Sequence, residues 1–352
     1  MENIKLLELG KRVYCNKMTD EKDANGVVLM SDEGAIKALC AKVFTSNGEV
    51  NSMEELRSFN RLIVEVAEDM AKANFEQVIN LVADYQTVGR YDIVSYKVNK
   101  LSKVSMALSA SATGVDFVKI PSKSTKTLAR PEQYQFGVQY SIEEMISDPV
   151  NAFRNAVNLI MEWKVKFIFN KIMAITKVAK TAGKIPAKQV SEIAGLSLAG
   201  YRTLEGSLLR YGRGVKPVMI ADINFINALA EKQATAPIVA AGTTYYLTDA
   251  MRESLLKEIN IEQVSKTICI ATENPFVDDM NSKVDLPVSE ALVLAGGIKS
   301  PFMIREYGAM RTAQDMPSIE KEQVLVKIDI KLDVTLLLSS AIAYIVDTAV
   351  VL

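Results

Sequence analysis

Residues 88–131 read VGRYDIVSYKVNKLSKVSMALSASATGVDFVKIPSKSTKTLARP. Eight residues here are basic (Arg90, Lys97, Lys100, Lys103, Lys119, Lys123, Lys126 and Arg130) and two are acidic, Asp92 and Asp116, a balance of +6. The stretch is rich in Ser, Thr, Val and Lys and offers few large apolar groups to bury. Ile93–Val98 and Phe117–Ile120 have strand composition and are joined through the small-residue run Ser109–Gly114. The pattern predicts a long two-stranded arm with too little core to hold itself up. An isolated hairpin is marginal in water, so a neighbour must stabilise it. Its aromatics, Tyr91, Tyr96 and Phe117, are too sparse for a base-stacking platform. An arm lying on an acidic surface fits better, with the eight basic residues as its contact set. Residues 1–87 carry 10 basic and 15 acidic residues, a balance of −5, so that region of another copy would serve. Opposite charges across such a contact set its register more than its affinity.

Upstream of the arm, Ser52 and Glu55 form a capping box. Leu56, Phe59, Ile63, Val66, Met70, Phe75, Val78 and Val82 follow at helical spacing, predicting a helix over Met53–Asp84. A shorter helix is predicted over Ala35–Phe44. Downstream, Tyr134, Phe136, Val138 and Tyr140 alternate with polar or small residues as in a half-buried strand. Asp148-Pro149 then supplies an N-cap and a first-turn proline. Val150, Phe153, Val157, Ile160, Phe167, Ile168, Ile172, Ile175 and Val178 mark a helix to Lys180 that stops by Gly183. At 1.5 Å per residue it spans about 48 Å, a length suited to a spine tying two lobes together.

Val190–Arg213 reads as helical, closed by Gly212 and Gly214. Short strands at Val218–Ala221, Tyr245–Leu247, Ile268–Ala271 and Ala291–Ala295 then alternate with helices opened by Asp222 and by Thr248-Asp249. This predicts an α/β lobe between Val215 and Gly297. In Val324–Leu336 every even position is apolar, while Lys327, Asp329, Lys331 and Asp333 occupy odd positions. The strand would run about 43 Å, matching the spine helix.

The 352 residues suit roughly two compact units, and 24% charged with 49% hydrophobic residues rules out wholesale disorder. A net charge of −1 gives no global field for nucleic acid. Histidine is absent, which removes the commonest general base and most catalytic zinc sites. Cys15, Cys40 and Cys269 form no CxxC pair and read as buried free thiols. Gly195–Gly200 lacks the middle glycine of a dinucleotide loop, and Gly183-Lys184 fails as a phosphate loop. Arg210–Gly214 reads as a helix end and Asp278-Asp279 as a solvated turn. Val334–Leu352 is apolar enough to test as a tail anchor, but Asp347 and four hydroxyl residues argue against a membrane span. No catalytic residue, cofactor or metal is expected.

The order of these parts resembles the major capsid proteins of tailed phages with the Hong Kong ninety-seven type shell fold, an α+β architecture. The stretch from Pro131-Glu-Gln-Tyr-Gln-Phe to the helix at Pro149 is similar to the family's entry into its spine helix. The resemblance implies an N-terminal arm and helix (1–87), an extended β-hairpin loop (88–131), and a peripheral domain with the spine helix (132–214). An axial α/β domain (215–297) and a return to the peripheral domain with the long strand (298–352) complete it.

It further implies self-assembly into homo-pentamers and hexamers, each hairpin overlapping an adjacent subunit. The resulting icosahedral shell would be built in the host cytoplasm, become part of the virion and contact packaged double-stranded DNA non-specifically. A separate scaffolding protein and a portal are the expected partners. The runner-up is an encapsulin-like compartment enclosing protein cargo. A tail or baseplate component and an α/β enzyme using the 215–297 lobe are further alternatives, the enzyme lacking a convergent catalytic set.

Some members of that family join a hairpin lysine to a late asparagine. Lys119, Lys123 and Lys126 could supply the lysine here, but no Asn follows Asn281. Boiled particles should therefore run as a single monomer band in SDS gels, whereas a ladder of covalent multimers would contradict this reading.

Overall fold

Asp148 opens the longest helix. In the computed structural model its carboxylate accepts the Asn151 N–H at 3.3 Å, and Pro149 begins a 33-residue helix, Pro149–Thr181. The helix closes where Gly183 turns left-handed at φ +64°. There the Gly183 and Lys184 amides bond back to Lys180 and Ala179, each at 2.9 Å. One residue of the expected stripe departs. Val178 is exposed, and Thr176 is buried instead with its hydroxyl donating to the Ile172 carbonyl at 2.8 Å. The structure describes residues 2–22, 28–100, 123–235, 238–240, 243–245, 263–272, 274–297, 300–318 and 323–352.

The chain divides into two units, one of residues 1–72, 85–162 and 304–337, the other of 73–84, 163–303 and 338–352. The spine helix and the helix Met53–Val82 each contribute residues to both.

In the first unit the strand Gln323–Leu336 is paired antiparallel along one edge by Glu132–Ser141 and along the other by Arg311–Ser318. Phe302–Tyr307 and Ala83–Val88 extend this sheet. Val324, Val326, Ile328, Ile330 and Leu332 are buried, as their even spacing predicts. Val326 and Val138 meet Ile63 and Val64 of the helix Met53–Val82 and Ala156 and Ile160 of the spine. Thus the first part of the spine lies on the sheet with the long strand, while its residues 163–181 belong to the other unit. The helix Glu2–Tyr14 also joins this layer. A Cβ on Gly10 would stand 2.6 Å from the Val66 side chain, so only glycine allows that approach. The odd face of the long strand is not simply solvated: Asp329 is 1% and Asp333 5% exposed.

The second unit holds a six-stranded sheet in the order Gln263–Val264, Thr267–Ala271, Val218–Ala221, Glu290–Leu294, Ile342–Asp347, Val190–Ile193. Thr267–Ala271 runs parallel to Val218–Ala221, and Val190–Ile193 parallel to Ile342–Asp347. Val190–Ile193 corrects the helical reading of 190–213. The helix begins only at Leu198, where Ser197 accepts the Gly200 N–H at 3.1 Å. Asp222 caps the next helix, Ile223–Thr235, by accepting the Asn224 N–H at 2.9 Å. The predicted strand at Tyr245–Leu247 is found at Thr243–Tyr245. Residues 246–247 and the helix expected after Thr248-Asp249 lie outside the described residues.

The loop at Gly195 explains why it holds no external phosphate signature. Its Gly195 and Leu196 amides donate to the chain's own Asp347, at 2.6 and 2.7 Å. Ala349 N–H and the Lys232 ammonium complete the carboxylate's shell at 3.0 and 3.2 Å. Val334–Leu352, tested above as an anchor, therefore contains an interior strand of this sheet. No described helix is long and apolar enough to cross a membrane. Cys40 and Cys269 are buried, as expected, whereas Cys15 is exposed.

Removing the Asp347 carboxylate leaves two loop amides without their acceptor. Asp347→Ala should cost about 2–4 kcal/mol in urea unfolding with the m-value unchanged. Burial raises this carboxyl, but the three amides and Lys232 outweigh burial and hold it below the ordinary range. Its contribution is therefore present above about pH 4 and lost as pH falls further. Asp347→Asn should show a shallower acid loss of stability than the unaltered protein.

Candidate assembly interface

The ribbon begins at a turn fixed by its own residues. Asp92 accepts the Gly89 N–H at 2.7 Å, and the Asp92 N–H returns to the Gly89 carbonyl at 3.0 Å. Ser95–Lys100 and Lys123–Leu128 then pair antiparallel as a two-stranded sheet of their own, from Ser95↔Leu128 to Lys100↔Lys123. The outgoing strand lies close to the predicted Ile93–Val98. The return strand is described at Lys123–Leu128, and the predicted Phe117–Ile120 lies outside the described residues. KSTKTL carries no apolar alternation, so its sequence gives no strand period to read.

The odd face of the long strand grips both ends of this ribbon. Residues 329, 331 and 333 project to one side because side chains alternate along a strand. Asp329 accepts from Arg90 and Gln133, and from Arg311 Nε at 3.0 Å. Lys331 Nζ donates to the Arg90 carbonyl at 3.2 Å and lies over the rings of Tyr91 (5.8 Å) and Tyr307 (5.5 Å). Asp333 accepts from the Tyr96 hydroxyl at 2.5 Å, from the Arg130 N–H at 3.2 Å and from Thr335 at 3.0 Å. The negative–positive–negative sequence thus binds the way in through Arg90 and Tyr96 and the way out through Arg130. Arg305 packs over the Tyr96 ring at 5.7 Å, and Tyr96 is buried.

Electrostatics make this root firm. Burial pushes the Asp329 carboxyl up, but its bonds from Gln133, Arg90 and Arg311 prevail and hold it below the usual carboxylate range. Burial and then the bond to Asp333 push the Tyr96 phenol upward. Beside this root, Tyr91 (87% exposed), Ile93 (91%) and Leu128 (60%) present large apolar surface to the outside.

The eight basic residues of the ribbon fall into different settings. Arg90 pairs within its own chain with Asp329, and Arg130 is exposed with its backbone bonded to Asp333. Lys97 stands opposite Lys126 in the ladder and Lys100 opposite Lys123. Lys103 and Lys119 lie outside the described residues. The twelve paired residues contain four lysines and no acid. Like charges directly opposite each other destabilise a strand pair. Asp329, Lys331 and Asp333 were not among the residues singled out for the interface, although their spacing by two within an apolar strand is a readable signal.

The comparison of the whole sequence shows the chain's family. A family model described as "SPbeta prophage-derived putative capsid protein YonB" matches residues 5–346. The chain belongs to that family. A relative from Bacillus subtilis (strain 168), "SPbeta prophage-derived uncharacterized protein YonB", is 34% identical over 356 residues, covering 100% of this chain and 99% of that protein. The expected kinship with phage capsid proteins therefore holds. Among solved structures, this YonB-family chain is similar to one of Mycobacterium phage Patience, with 11% identity, TM-score 0.45, and 93% and 90% of the two chains covered. A chain of Microbacterium phage Oxtober96 gives 11% identity, TM-score 0.47 and coverage of 75% and 89%. The holo-SrpI encapsulin complex from Synechococcus elongatus PCC 7942 gives 12%, 0.41, 77% and 86%.

Removing the Asp329 carboxylate leaves Arg90, whose side chain is only 16% exposed, without its partner, while the Arg311 side chain is more than half exposed. Asp329→Ala should cost about 3–5 kcal/mol. It should also quicken tryptic cleavage within residues 90–130 more than elsewhere. Uniformly faster cleavage along the whole chain would show that the carboxylate stabilises the fold without fixing the ribbon.

Proposed function

We propose that this chain is a major head protein whose copies form pentamers and hexamers and close into an icosahedral shell around double-stranded DNA. Membership in a family described as capsid protein supports the class. The observation that carries the proposal is the ribbon, a separate two-stranded sheet with two opposed lysine pairs and no acid of its own. A hairpin of this kind is marginal alone and gains stability from an acidic surface outside itself. Residues 1–87 of an adjacent copy, with 15 acidic against 10 basic residues, offer that surface. Repeated head-to-tail contacts between ribbon and neighbour generate rings when the rotation closes. The eight basic residues are the proposed contact set, with Arg90 fastening the root. A separate scaffolding protein and a portal complete the assembly, which takes place in the host cytoplasm and ends in the virion.

Reversing the ribbon charge tests this directly. The purified protein should give uniform round particles in negative stain. The combined variant Lys97→Glu, Lys100→Glu, Lys123→Glu and Lys126→Glu should remain folded by circular dichroism yet form no particles. Like-charge juxtaposition across a contact costs several kcal/mol, so the variant should form none even at about tenfold the protein concentration at which the unaltered chain assembles. Undiminished particles from the variant would contradict the ribbon's role, and a monodisperse monomer of the unaltered protein under all conditions would contradict assembly. Particles carrying protein cargo and no nucleic acid would favour the encapsulin-like reading.

A further inference from the structure

Two segments of the second unit carry opposite charge and take no part in the ribbon root. Residues 206–221 hold Arg210, Arg213 and Lys216 and no acid, while residues 273–282 hold Glu273, Asp278 and Asp279 and no base. The first segment contains the end of the helix Leu198–Tyr211 and the corner that follows it. The corner is tight. A Cβ on Gly212 would stand 2.5 Å from the Gly296 carbonyl oxygen, and one on Gly296 would stand 2.2 Å from that of Lys216. Arg210, Tyr211, Arg213 and Val215 are exposed there. The second segment is a loop closed by the pairing of Phe276 with Val284. Asp278 holds it, accepting the Ser282 hydroxyl at 2.5 Å and the Ser282 and Lys283 N–H groups at 2.9 and 2.8 Å. The loop presents Phe276 (50% exposed), Val277 (54%) and Met280 (86%) beside Asp279. Among the described residues none pairs with Arg210, Arg213 or Asp279.

The fold sets these segments at opposite ends of one pair of strands. Val218–Ala221 and Thr267–Ala271 run parallel, with Ile268 opposite Val218 and Ala271 opposite Ala221. The basic corner leads into the first residue of Val218–Ala221, while the acidic loop follows the last residue of Thr267–Ala271. At about 3.3 Å per residue the paired stretch puts about 10 Å between those ends. Asn274 anchors the loop at the far end, donating to Asp222 at 2.7 Å and accepting the Leu286 N–H at 2.9 Å. Each segment therefore keeps its charge and its apolar side chains exposed within its own chain.

We infer that the basic corner of one copy receives the acidic loop of the next, a head-to-tail contact between second units. This contact rests on the shell reading for the presence of neighbouring copies and adds a junction that the ribbon does not supply. Arg210 and Arg213 meet Asp279, while Tyr211 and Val215 pack against Phe276, Val277 and Met280. A second copy is the occupant because each surface complements the other and every copy carries both. Arg, Tyr, Phe and Met are enriched where proteins meet, and paired charges fix the register. Both surfaces are held by their own backbone contacts, so little ordering is needed on docking. The two halves of the contact differ, so it repeats from copy to copy until a rotation closes it.

Charge exchange tests the contact, with sedimentation velocity of the full chain as the readout. The corner variant Arg210→Glu with Arg213→Glu, and the loop variant Asp279→Arg, each set like charges against each other. Each should raise the concentration for half-association by about tenfold or more. The chain carrying all three exchanges restores opposite charges at every copy and should return to within about threefold of the unaltered protein. Should an exchange fail to fold by circular dichroism, Met280→Ser alters a side chain too exposed to support the fold. It should weaken association by about fivefold or more. Exchanges that leave association unchanged, or a triple variant no better than the corner and loop variants, would overturn this contact, and round particles in negative stain would still uphold the shell reading. An unaltered protein that stays monomeric at every concentration overturns both. Loss of nucleic-acid retention in the corner variant with association unchanged would also overturn the contact and assign the corner to phosphate.

Discussion

Asp329, Lys331 and Asp333 constrain the rest of the molecule because they let one strand bury most of both faces between Ile328 and Asp333. The even face is the apolar floor on which two long helices rest. The odd face is charged, and charge can be buried only when it is paired and hydrogen-bonded. The ribbon root supplies that pairing through Arg90, Tyr96, Gln133, Arg311 and the Arg130 amide. The strand thereby fixes where the ribbon leaves the subunit. A projecting segment serves as a specific connector only if its base is rigid, since a swinging base loses the preorganisation that binding requires.

Asp329 is ionised and needed as an anion, so acid weakens the root. Asp347 provides an acid-sensitive tie in the second unit, where a carboxylate takes the place that an external anion would occupy on the Gly195 loop.

Much of this organisation was legible in the residues alone. The spine helix was marked by Asp148-Pro149 and a sustained apolar stripe, and the long strand by strict alternation. The ribbon stood out by its lack of burial signal together with its charge. The reading of 190–213 as one helix failed because a four-residue, half-exposed edge strand leaves too short a pattern to separate from a helical turn. The return strand of the ribbon was invisible for a related reason, since KSTKTL carries no apolar alternation. At the candidate interface, composition identified the ribbon's basic residues. It did not reveal that Arg90 turns inward or that Asp329 and Asp333 are buried, because alternation says which residues share a face and not what covers it.

The central claim is that the ribbon is rigid where it leaves its own subunit and completed by another copy. Electron cryo-microscopy of assembled particles tests it most directly. The account predicts that residues 101–122 lie across an adjacent subunit, against its first 87 residues, with Asp329 and Asp333 still bonded to the root. Density showing the ribbon folded back on its own subunit, without contact to any neighbour, would contradict it.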